Sequence, residues 1–240
     1  MKLNTTNTLP AKKGVFYMTQ EKRKIILFAN GELFGGRDLI GQISKNDYLI
    51  AVDGGLNHMI TLGLQPDLII GDLDSIDKAT LNHHKKQQVK IEQYPIQKDQ
   101  NDLELAIQAA LKMAPQVIWI VAALGNRIDQ TLANIFLLTR ADLADIDVHL
   151  VDGQRDVFLI RQHTTLTGLK GQRVSLIPIN GPVNGIRTEG LAYPLKCESL
   201  YPHQTRGISN YLTDAKATIT IEHGLLLCVH SKSKSEERNG

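Results

Sequence analysis

Short apolar segments alternate with helical patterns from Lys24 to Asp152, and this alternation constrains the fold more than any other feature. Strands are predicted at 25–29, 49–52, 68–70, 90–93, 117–121 and 148–151. The clearest helices are predicted at 102–113, where apolar residues cluster on one side, and at 129–140. Strands that alternate with helices form βαβ crossovers, so we expect a mostly parallel α/β sheet in this half of the chain.

The second half of the chain has a different periodicity. Apolar runs at 157–160, 173–179, 217–221 and 225–229 are separated by Gly, Pro and Asn, and polar and apolar side chains alternate at 218–222. A period of two is typical of a half-buried antiparallel strand. We therefore predict a disordered extension at 1–20, an α/β domain at 21–152, an antiparallel β-sandwich at 153–230 and a disordered polar tail at 231–240.

The charge of the chain gives no reason to expect a nucleic-acid or membrane partner. The formal net charge is +2 at pH 7, with 27 Lys and Arg against 25 Asp and Glu. That balance provides no excess of basic groups for phosphate backbones or anionic lipids. No apolar run approaches the roughly 18 residues of a transmembrane helix, and the polar first seventeen residues do not resemble a secretory signal. A cytoplasmic location is expected.

Two aspartates, Asp72 and Asp74, directly follow the apolar run at 68–71. Carboxylates this close resist ionising together unless a cation or hydrogen-bond donors offset their charge. Oxygen ligands at a strand end favour Mg²⁺, which proteins usually bind with one or two carboxylates and substrate phosphates. Ligands bind at the carboxyl edge of a parallel sheet, so aspartates after neighbouring strands are expected to join this site. These are Asp53, Asp99, Asp102 and Asp129.

Each of these aspartates also has a purely structural interpretation. Asp53 could cap the helix that follows it, and Asp72 with Asp74 could do the same for the next helix. Asp102 and Asp129 could be first-turn residues, which the helix dipole favours. Their occurrence at one predicted edge of the sheet favours a shared functional role, because independent caps need not all be aspartate.

Glycine-based nucleotide motifs are missing from the sequence. It contains neither a G-x-x-x-x-G-K-S/T phosphate loop nor a G-x-G-x-x-G motif. Phosphoryl transfer requires charge neutralisation and an attacking oxygen held in line with the phosphorus. A carboxylate–Mg²⁺ cluster with nearby basic residues provides both, and Lys98 and Arg127 are the candidate basic residues.

Six blocks in this sequence together carry a family resemblance. They are Ala-Val-Asp-Gly-Gly at 51–55, Gln-Pro-Asp-Leu-Ile-Ile-Gly-Asp-Leu-Asp-Ser at 65–75, Lys-Asp-Gln-Asn-Asp-Leu-Glu-Leu-Ala at 98–106, Gly-Asn-Arg-Ile-Asp-Gln at 125–130 with Asn134 behind it, Thr-Glu-Gly-Leu at 188–191 and Gly-Ile-Ser-Asn at 207–210. In this order the chain resembles the thiamine pyrophosphokinase family, which moves the terminal diphosphate of ATP onto thiamine. The resemblance spans about residues 25–229, and its most specific part is the second block.

The resemblance implies an α/β domain that binds ATP, a β-sandwich that binds thiamine, and a homodimer with thiamine where the subunits meet. It implies a Mg²⁺ site and a catalytic role for the acids: Asp72 and Asp74 as the metal and phosphate pair, Asp53 as their support, and Asp102 as a further metal ligand or a contact of the attacking hydroxyl. The residues implied to bind ATP are Lys98, Asp99, Arg127, Asp129 and Gln130. Those implied to face thiamine are Ser209, Asn210 and Tyr193.

Two other functions compete with this reading. A phosphatase of the haloacid dehalogenase type also has two aspartates in this spacing after a buried strand, but it leaves Asp53, Asp102 and the β-rich half without a role. A module that senses thiamine or a nucleotide would keep the fold without turnover. Such a module would not need every acid, so the retained acids favour the enzyme.

Overall fold

The computed structural model describes residues 24–97 and 99–234, and in this part of the chain thirteen strands form one sheet, with eleven along a single path of paired strands and two that branch from it. The first half contains β1 (Lys24–Phe28), α1 (Gly36–Ile40), β2 (Tyr48–Val52), α2 (Gly55–Thr61), β3 (Leu68–Gly71), α3 (Lys78–Lys86), β4 (Lys90–Gln93), α4 (Asp102–Leu111), β5 (Val117–Val121), α5 (Ile128–Leu137), a 3₁₀ turn (Ala141–Leu143) and β6 (Asp147–Val151). The second half contains β7 (Arg155–Ile160), β8 (His163–Thr167), β9 (Gln172–Glu189), β10 (Lys196–Leu200), β11 (Asn210–Tyr211), β12 (Lys216–Thr220) and β13 (His223–Lys234).

The first six strands pair in parallel in the order β4-β3-β2-β1-β5-β6. Both faces of the central strands are buried, because alternate residues of one strand pack into different apolar clusters. In β1, Ile25 and Leu27 belong to one cluster, and Ile26 and Phe28 belong to the other. Burial on both faces is the usual state of parallel sheets and explains the continuous apolar runs of the sequence.

Helices cover this sheet unequally. α4 packs against β1, β2 and β3, and its buried side includes Leu103, Ala106 and Ile107. α5, in contrast, has no buried residue, although it is as long as α4. Among the described residues, no helix is long and apolar enough to cross a membrane.

The sheet continues without interruption across the predicted domain boundary at 152–153. β6 pairs antiparallel with β7 through a tight hairpin, and β7 pairs with β13. Asp152 is fully buried at this hairpin, where it accepts backbone hydrogen bonds from Gln154 and Arg155 and pairs with the Arg155 guanidinium at 2.5 Å. The mixed α/β fold with a large sheet is therefore confirmed, and its two halves share one continuous run of paired strands.

A three-residue group, which we call the His149 cluster, joins the same two strands. The imidazole of His149 in β6 lies 2.9 Å from Asp147 of its own strand and 2.6 Å from Asp156 of β7. The ring also packs against Phe158, with a centroid distance of 4.6 Å. Hydrogen bonds between charged side chains therefore join β6 to β7, where parallel strand pairing changes to antiparallel pairing.

β9 is much longer than the predicted run at 173–179. It extends over 18 residues and pairs first with β13 and then with β10 and β12. Gly, Pro and Asn in its middle suggested a turn, but they form a bend within one strand. Asn180, Gly181 and Gly185 have positive φ values of 61°, 134° and 67°, and the register with β13 shifts nearby. Such irregularities let a strand turn a corner while pairing continues on both sides.

The prediction of a disordered tail from residue 231 is wrong for its first four residues, which form the end of β13. Ser231 pairs with both Arg155 and Arg173, and the Lys232 carbonyl accepts a 2.8 Å hydrogen bond from Gln172. Backbone pairing does not depend on apolar side chains, so a polar composition concealed this strand. The predicted extension at 1–20 and the tail residues 235–240 lie outside the described residues.

Candidate active site

A cavity of about 590 Å³ lies at the carboxyl edge of the parallel strands. Its wall is built from the loops that follow β1, β2, β3 and β5 and from the start of α4. The lining residues are Ala29, Asn30, Gly31, Glu32, Val52, Asp53, Ser75, Asn101, Asp102, Leu103, Ala122, Ala123, Leu124, Gly125, Asn126, Arg127, Gln130, Thr131 and Asn134. The predicted edge of the sheet is thus the edge that carries the cavity.

Asp53 sits in a crowded left-handed turn after β2, with φ at 46°. A side chain on Gly55 would overlap the Phe28 carbonyl, and one on Gly71 would lie 3.0 Å from the Asp53 Cβ. The two glycines therefore let β1 and β3 close on the turn. Asp53 does not cap α2, whose N-cap is Gly54, and its Oδ1 is buried with no hydrogen-bond partner among the described residues.

Asp72 and Asp74 flank Leu73, which has a φ of 65° and is buried in the core. The buried leucine holds the turn while the two acids stay at the surface side. The Asp74 amide donates to Asp72 Oδ1 at 3.3 Å, and the Ser75 hydroxyl donates to Asp74 at 3.2 Å. The capping interpretation of the pair is excluded, because Asp77 caps α3 by accepting from Ala79 and Thr80.

Asp53, Asp72 and Asp74 form a group that we call the acidic triad. One carboxylate oxygen from each lies within 4.8 Å of the others, among the residues that the structure describes. Asp53 and Asp72 are half-buried and Asp74 is exposed, so the group is open on one side. Three carboxylates this close repel one another unless a cation offsets them. Together with the orphaned Asp53 oxygen, this arrangement fits a hard divalent cation with oxygen ligands.

Asp102 lies in the cavity wall but outside the acidic triad, so the metal set implied by the resemblance differs from the observed group in one member. It is also a first-turn residue of α4, so the structural interpretation holds as well. Asn101 caps this helix by accepting from the Glu104 amide at 2.8 Å.

Asp99 is exposed and does not line the cavity, and Lys98 lies outside the described residues.

The loop between β5 and α5 forms the cavity wall opposite the loop after β1. Side chains of α5 hold this loop in place by hydrogen bonds to its backbone. Asn134 donates to the Ala123 carbonyl at 2.7 Å, and the Thr131 hydroxyl lies 3.2 Å from the backbone nitrogen and oxygen of Gly125. Ala122 adopts a φ of 55° where the loop leaves the strand. A left-handed backbone conformation costs energy for a residue other than glycine, and such residues concentrate at functional sites. Asp53, Leu73 and Ala122 all adopt it, each in a loop at this edge of the sheet.

Arg127 and Gln130 line the cavity, whereas Asp129 does not. Asp129 instead pairs with the Arg127 guanidinium at 2.5 Å on the exposed side. This hydrogen bond holds the pKa of the Asp129 carboxyl below its usual value. Asp129 is also a first-turn residue of α5, so its position fits the dipole interpretation and gives it contact with the cavity only through Arg127.

Sequence reasoning missed the loop after β1, which contributes Asn30, Gly31 and Glu32 to the cavity. This segment contains a single acid and no paired-acid motif, so its sequence did not indicate a functional role. A signal was present, because Glu32 follows the predicted strand at 25–29 just as the other acids follow theirs. Counting acids after all predicted strands would have included it.

The three residues implied to face thiamine lie together in the second half. Asn210 is buried and its side-chain amide makes three hydrogen bonds: it donates to the Tyr193 carbonyl at 2.8 Å and accepts from the amides of Tyr193 and Tyr211 at 3.0 Å. Tyr193 is 57% exposed and meets Tyr211 edge to face. Ser209 is exposed, with φ at 60°. None of these residues lines the cavity within a single chain.

The electrostatics of the cavity combine negative and positive ends. The acidic triad lies on one side, whereas Arg127 and the N-termini of α4 and α5 lie at the wall. A helix N-terminus carries a partial positive charge that stabilises anions. A polyphosphate with a bound cation complements both parts, because the cation meets the carboxylates and the phosphates meet the helix ends.

Comparison with known proteins agrees with this geometry. A model of the family described as "Thiamin pyrophosphokinase, catalytic domain" matches residues 41–150, and one described as "Thiamin pyrophosphokinase, vitamin B1 binding domain" matches residues 160–226. The thiamine pyrophosphokinase of Bacillus subtilis is 29% identical over 196 residues, which cover 81% of this chain and 92% of that protein.

Solved structures give the same result for the fold. The crystal structure of the Bacillus subtilis thiamine pyrophosphokinase superposes with a TM-score of 0.79 at 27% identity, covering 88% of this chain and 100% of that chain. The Candida albicans thiamin pyrophosphokinase superposes with a TM-score of 0.76 at 17% identity, covering 88% and 89%, and supports the fold alone. Two domain models of one family, which match on either side of the β6–β7 hairpin, and a close structural match establish that this chain belongs to the thiamine pyrophosphokinase family of transferases.

Proposed function

We propose that the protein transfers the diphosphate of ATP to the hydroxyl of thiamine, which yields thiamine diphosphate and AMP. The observation that carries this proposal is the acidic triad, whose Asp53 lines a polar cavity that is large enough for a nucleotide. The family's reaction requires a site that binds a polyphosphate with its cation, and the triad and the helix N-termini supply complementary charges.

The resident cation proposed here is Mg²⁺, held by Asp72 and Asp74 with support from Asp53. The buried Asp53 oxygen without a partner among the described residues supports this assignment, because an uncompensated carboxylate is costly to bury. Asp102 stays a candidate for a further ligand or for a contact to the attacking hydroxyl. When bound, the ion would offset charge on the diphosphate, and the protein would supply its ligands and their orientation.

The side chains proposed to act on ATP have different tasks. Arg127 and Gln130 line the cavity and can bind phosphate or nucleoside groups directly, and Asp129 orients Arg127 through their ion pair. Asp99 and Lys98 are retained as proposed ATP contacts from the family resemblance. A carboxylate with an ordinary pKa near ~4 is a weak base for an alcohol. Positioning and electrostatic stabilisation are therefore expected to contribute more than proton abstraction.

Thiamine is proposed to bind against the second half of the chain, which we assign as a β-sandwich at 153–230 beside the α/β domain at 21–152. Tyr193 can stack its exposed ring on the cationic thiamine ring. Asn210 would act by fixing the backbone of Tyr193, since its own amide is already hydrogen-bonded. Ser209 is exposed beside it and free to contact the substrate.

A homodimer with thiamine at the interface explains why the two groups of residues do not meet in one chain. The cavity is lined by residues from the first half, which supports the proposal that Tyr193 and Ser209 reach it from a second copy. α5 offers a surface for that copy: Ile128, Leu132 and Phe136 repeat at helical spacing and are 71%, 50% and 50% exposed. Adjacent exposed apolar residues commonly mark a protein interface.

Subunit mixing tests the shared site. An Asp72→Asn protein and a Tyr193→Ala protein are each expected to be weak when assayed alone at low thiamine. Random exchange makes half of the dimers heterodimers with one intact site, so the mixture should recover about a quarter of wild-type activity. A mixture no more active than its components would rule out a site shared between subunits.

The reaction itself is tested by measuring AMP and thiamine diphosphate from ATP, with and without thiamine and Mg²⁺. Equal amounts of both products, only when thiamine and Mg²⁺ are present, would support the proposal. Phosphate release without thiamine would favour a phosphatase, and tight nucleotide binding without products would favour a sensing module. A cytoplasmic location is proposed on the same basis, since ATP is the donor.

A further inference from the structure

The cavity lies where the order of the parallel strands reverses. From β1 the chain proceeds outward through β2, β3 and β4, and β5 then returns to the other side of β1. The loops after β1 and β5 therefore diverge, which leaves a crevice at the carboxyl edge where ligands of such sheets bind. Glu32 stands on the β1 side of this crevice, and Gly125 stands opposite it on the β5 side.

The backbone around Glu32 is held firmly. Gly31 donates to the Ala122 carbonyl at 2.7 Å, and Glu32 donates to the Leu124 carbonyl at 2.9 Å. His58 Nε2 lies 2.8 Å from the Gly31 carbonyl oxygen. The Glu32 side chain crosses toward the other wall, because a Cβ on Gly125 would lie 3.3 Å from the Glu32 Cγ. A carboxylate held in this way loses little conformational entropy when a ligand binds.

The chemistry of Glu32 restricts its ligand. Its carboxylate makes no hydrogen bond or ion pair with any residue in the described ranges, and it lines the cavity. An ionised carboxylate only accepts hydrogen bonds, and it repels phosphate groups. Glu32 is not a member of the acidic triad that would hold the cation, so the group that it binds is expected to present hydroxyl or N–H donors without negative charge.

The position of Glu32 identifies the donors. Adjacent strands are about 5 Å apart, so Glu32 after β1 lies about 10 Å along the edge from Asp72 after β3. A nucleotide with its terminal phosphates at the acidic triad would extend along this edge toward β1 and place its ribose there. We propose that Glu32 accepts hydrogen bonds from the ribose 2′- and 3′-hydroxyls of ATP and so selects ribonucleotides. This inference rests on the proposed ATP-dependent function and extends it.

The test measures binding without turnover. AMP, 2′-deoxyadenosine monophosphate and 3′-deoxyadenosine monophosphate are titrated by calorimetry into the full-length wild type, Glu32→Ala and Glu32→Gln without metal. Loss of hydrogen bonds to a charged group is expected to weaken AMP binding to Glu32→Ala about tenfold or more. Each deoxy ligand keeps one of the two hydroxyls, so Glu32→Ala should weaken its binding less than that of AMP, and the preference for AMP should disappear in the variant. Glu32→Gln keeps the size and one acceptor oxygen and should fall between.

Kinetics provide a second measurement. Glu32→Ala should raise the KM for ATP about tenfold and change kcat much less, with the KM for thiamine unaltered. Asp38→Asn is the matched control, because it removes an equal charge from the neighbouring segment outside the cavity lining. Its nucleotide preference should equal that of the wild type.

Several results would overturn the inference. These are an unchanged preference for AMP in Glu32→Ala, no discrimination by the wild type, or an effect confined to the KM for thiamine. The last result would assign Glu32 to the acceptor substrate. Failure of the proposed function is distinguishable, because it would appear as wild-type protein that forms no AMP from ATP and thiamine, whatever the calorimetry shows.

Discussion

The acidic triad and the His149 cluster both bring aspartates together, but only the His149 cluster contains a side chain that can offset their negative charge. In the His149 cluster, Asp147 and Asp156 lie on either side of one imidazole. Burial alone would lower the pKa of His149, yet the hydrogen bonds to the two aspartates outweigh it and raise this pKa from 6.5 to about 9. The imidazole is therefore charged at neutral pH and the cluster stabilises the fold.

The acidic triad has the opposite character. Its three carboxylates converge, and the Asp53 oxygen has no partner among the described residues. Such a group is expected to be stabilised by a cation that binds from solution. The comparison teaches that a group of acids indicates structure when its cation is built in and function when the cation must be bound.

The largest expected effect concerns turnover. Asp72→Asn and Asp74→Asn should each lower kcat at least ~100-fold at saturating Mg²⁺, since loss of a positioned charged group costs about 3 kcal/mol in the transition state. Steady-state AMP formation measures this effect, and circular dichroism checks that the variants are folded. Near-normal turnover in either variant would remove the metal assignment.

His149→Gln should destabilise the folded state instead, by about 3 kcal/mol at pH 6, because raising the pKa of His149 from 6.5 to about 9 corresponds to that energy. The folded-state pKa is raised, so this stabilisation is fully present below pH 6.5 and is lost as pH rises through about 9. Urea unfolding from pH 6 to 10 should show wild type and variant converging at high pH. A difference that stays constant with pH would contradict the charged-imidazole account.

Mg²⁺ should stabilise the wild type by about 3 kcal/mol at 100 times its dissociation constant, which raises Tm by about 5–10 °C. Asp53→Asn should remove most of this shift. Without metal, the same variant should be about 1 kcal/mol more stable than wild type, as expected when a functional site is relieved of like-charge repulsion. Differential scanning calorimetry with and without Mg²⁺ measures both. A metal-free variant less stable than wild type would mean that Asp53 is structural.

The smallest effect belongs to an aspartate in the same loop as the triad. Asp77→Ala removes the N-cap of α3 and should lower Tm by about 2–4 °C. The hydrogen bond from Thr80 and those from the helix amides hold the Asp77 pKa below its usual value, as expected of a cap. Turnover should stay close to that of the wild type. A loss of activity near that of Asp72→Asn would remove the distinction between capping and functional acids in this loop.

The sequence predicted well what depends on local patterns. Each predicted strand of the first half is observed within two residues, and Asp53, Asp72 and Asp102 follow strands at one edge as expected. Apolar runs and strand-end acids are visible in sequence because burial and ligand binding act directly on residue type.

Features that depend on long-range pairing were not predictable in this way. The corner in β9 uses residues that resemble a turn, and the polar end of β13 is ordered only by its neighbours. The side chain of Asn210 faces inward because Tyr193 lies 17 residues earlier, within hydrogen-bonding distance. No local pattern shows whether an asparagine binds a ligand or a backbone.

The position of β13 has a consequence for how the chain becomes folded. β13 is inserted between β7 and β9, both of which precede it in sequence. The parallel strands can pair as soon as they are synthesised, but β7 and β9 keep open edges until residues 223–234 exist. Unpaired strand edges are templates for aggregation. A chain truncated before residue 223 would therefore expose two unpaired strand edges in an otherwise assembled sheet. Premature termination near the end of this protein is therefore expected to be harmful out of proportion to the few residues lost.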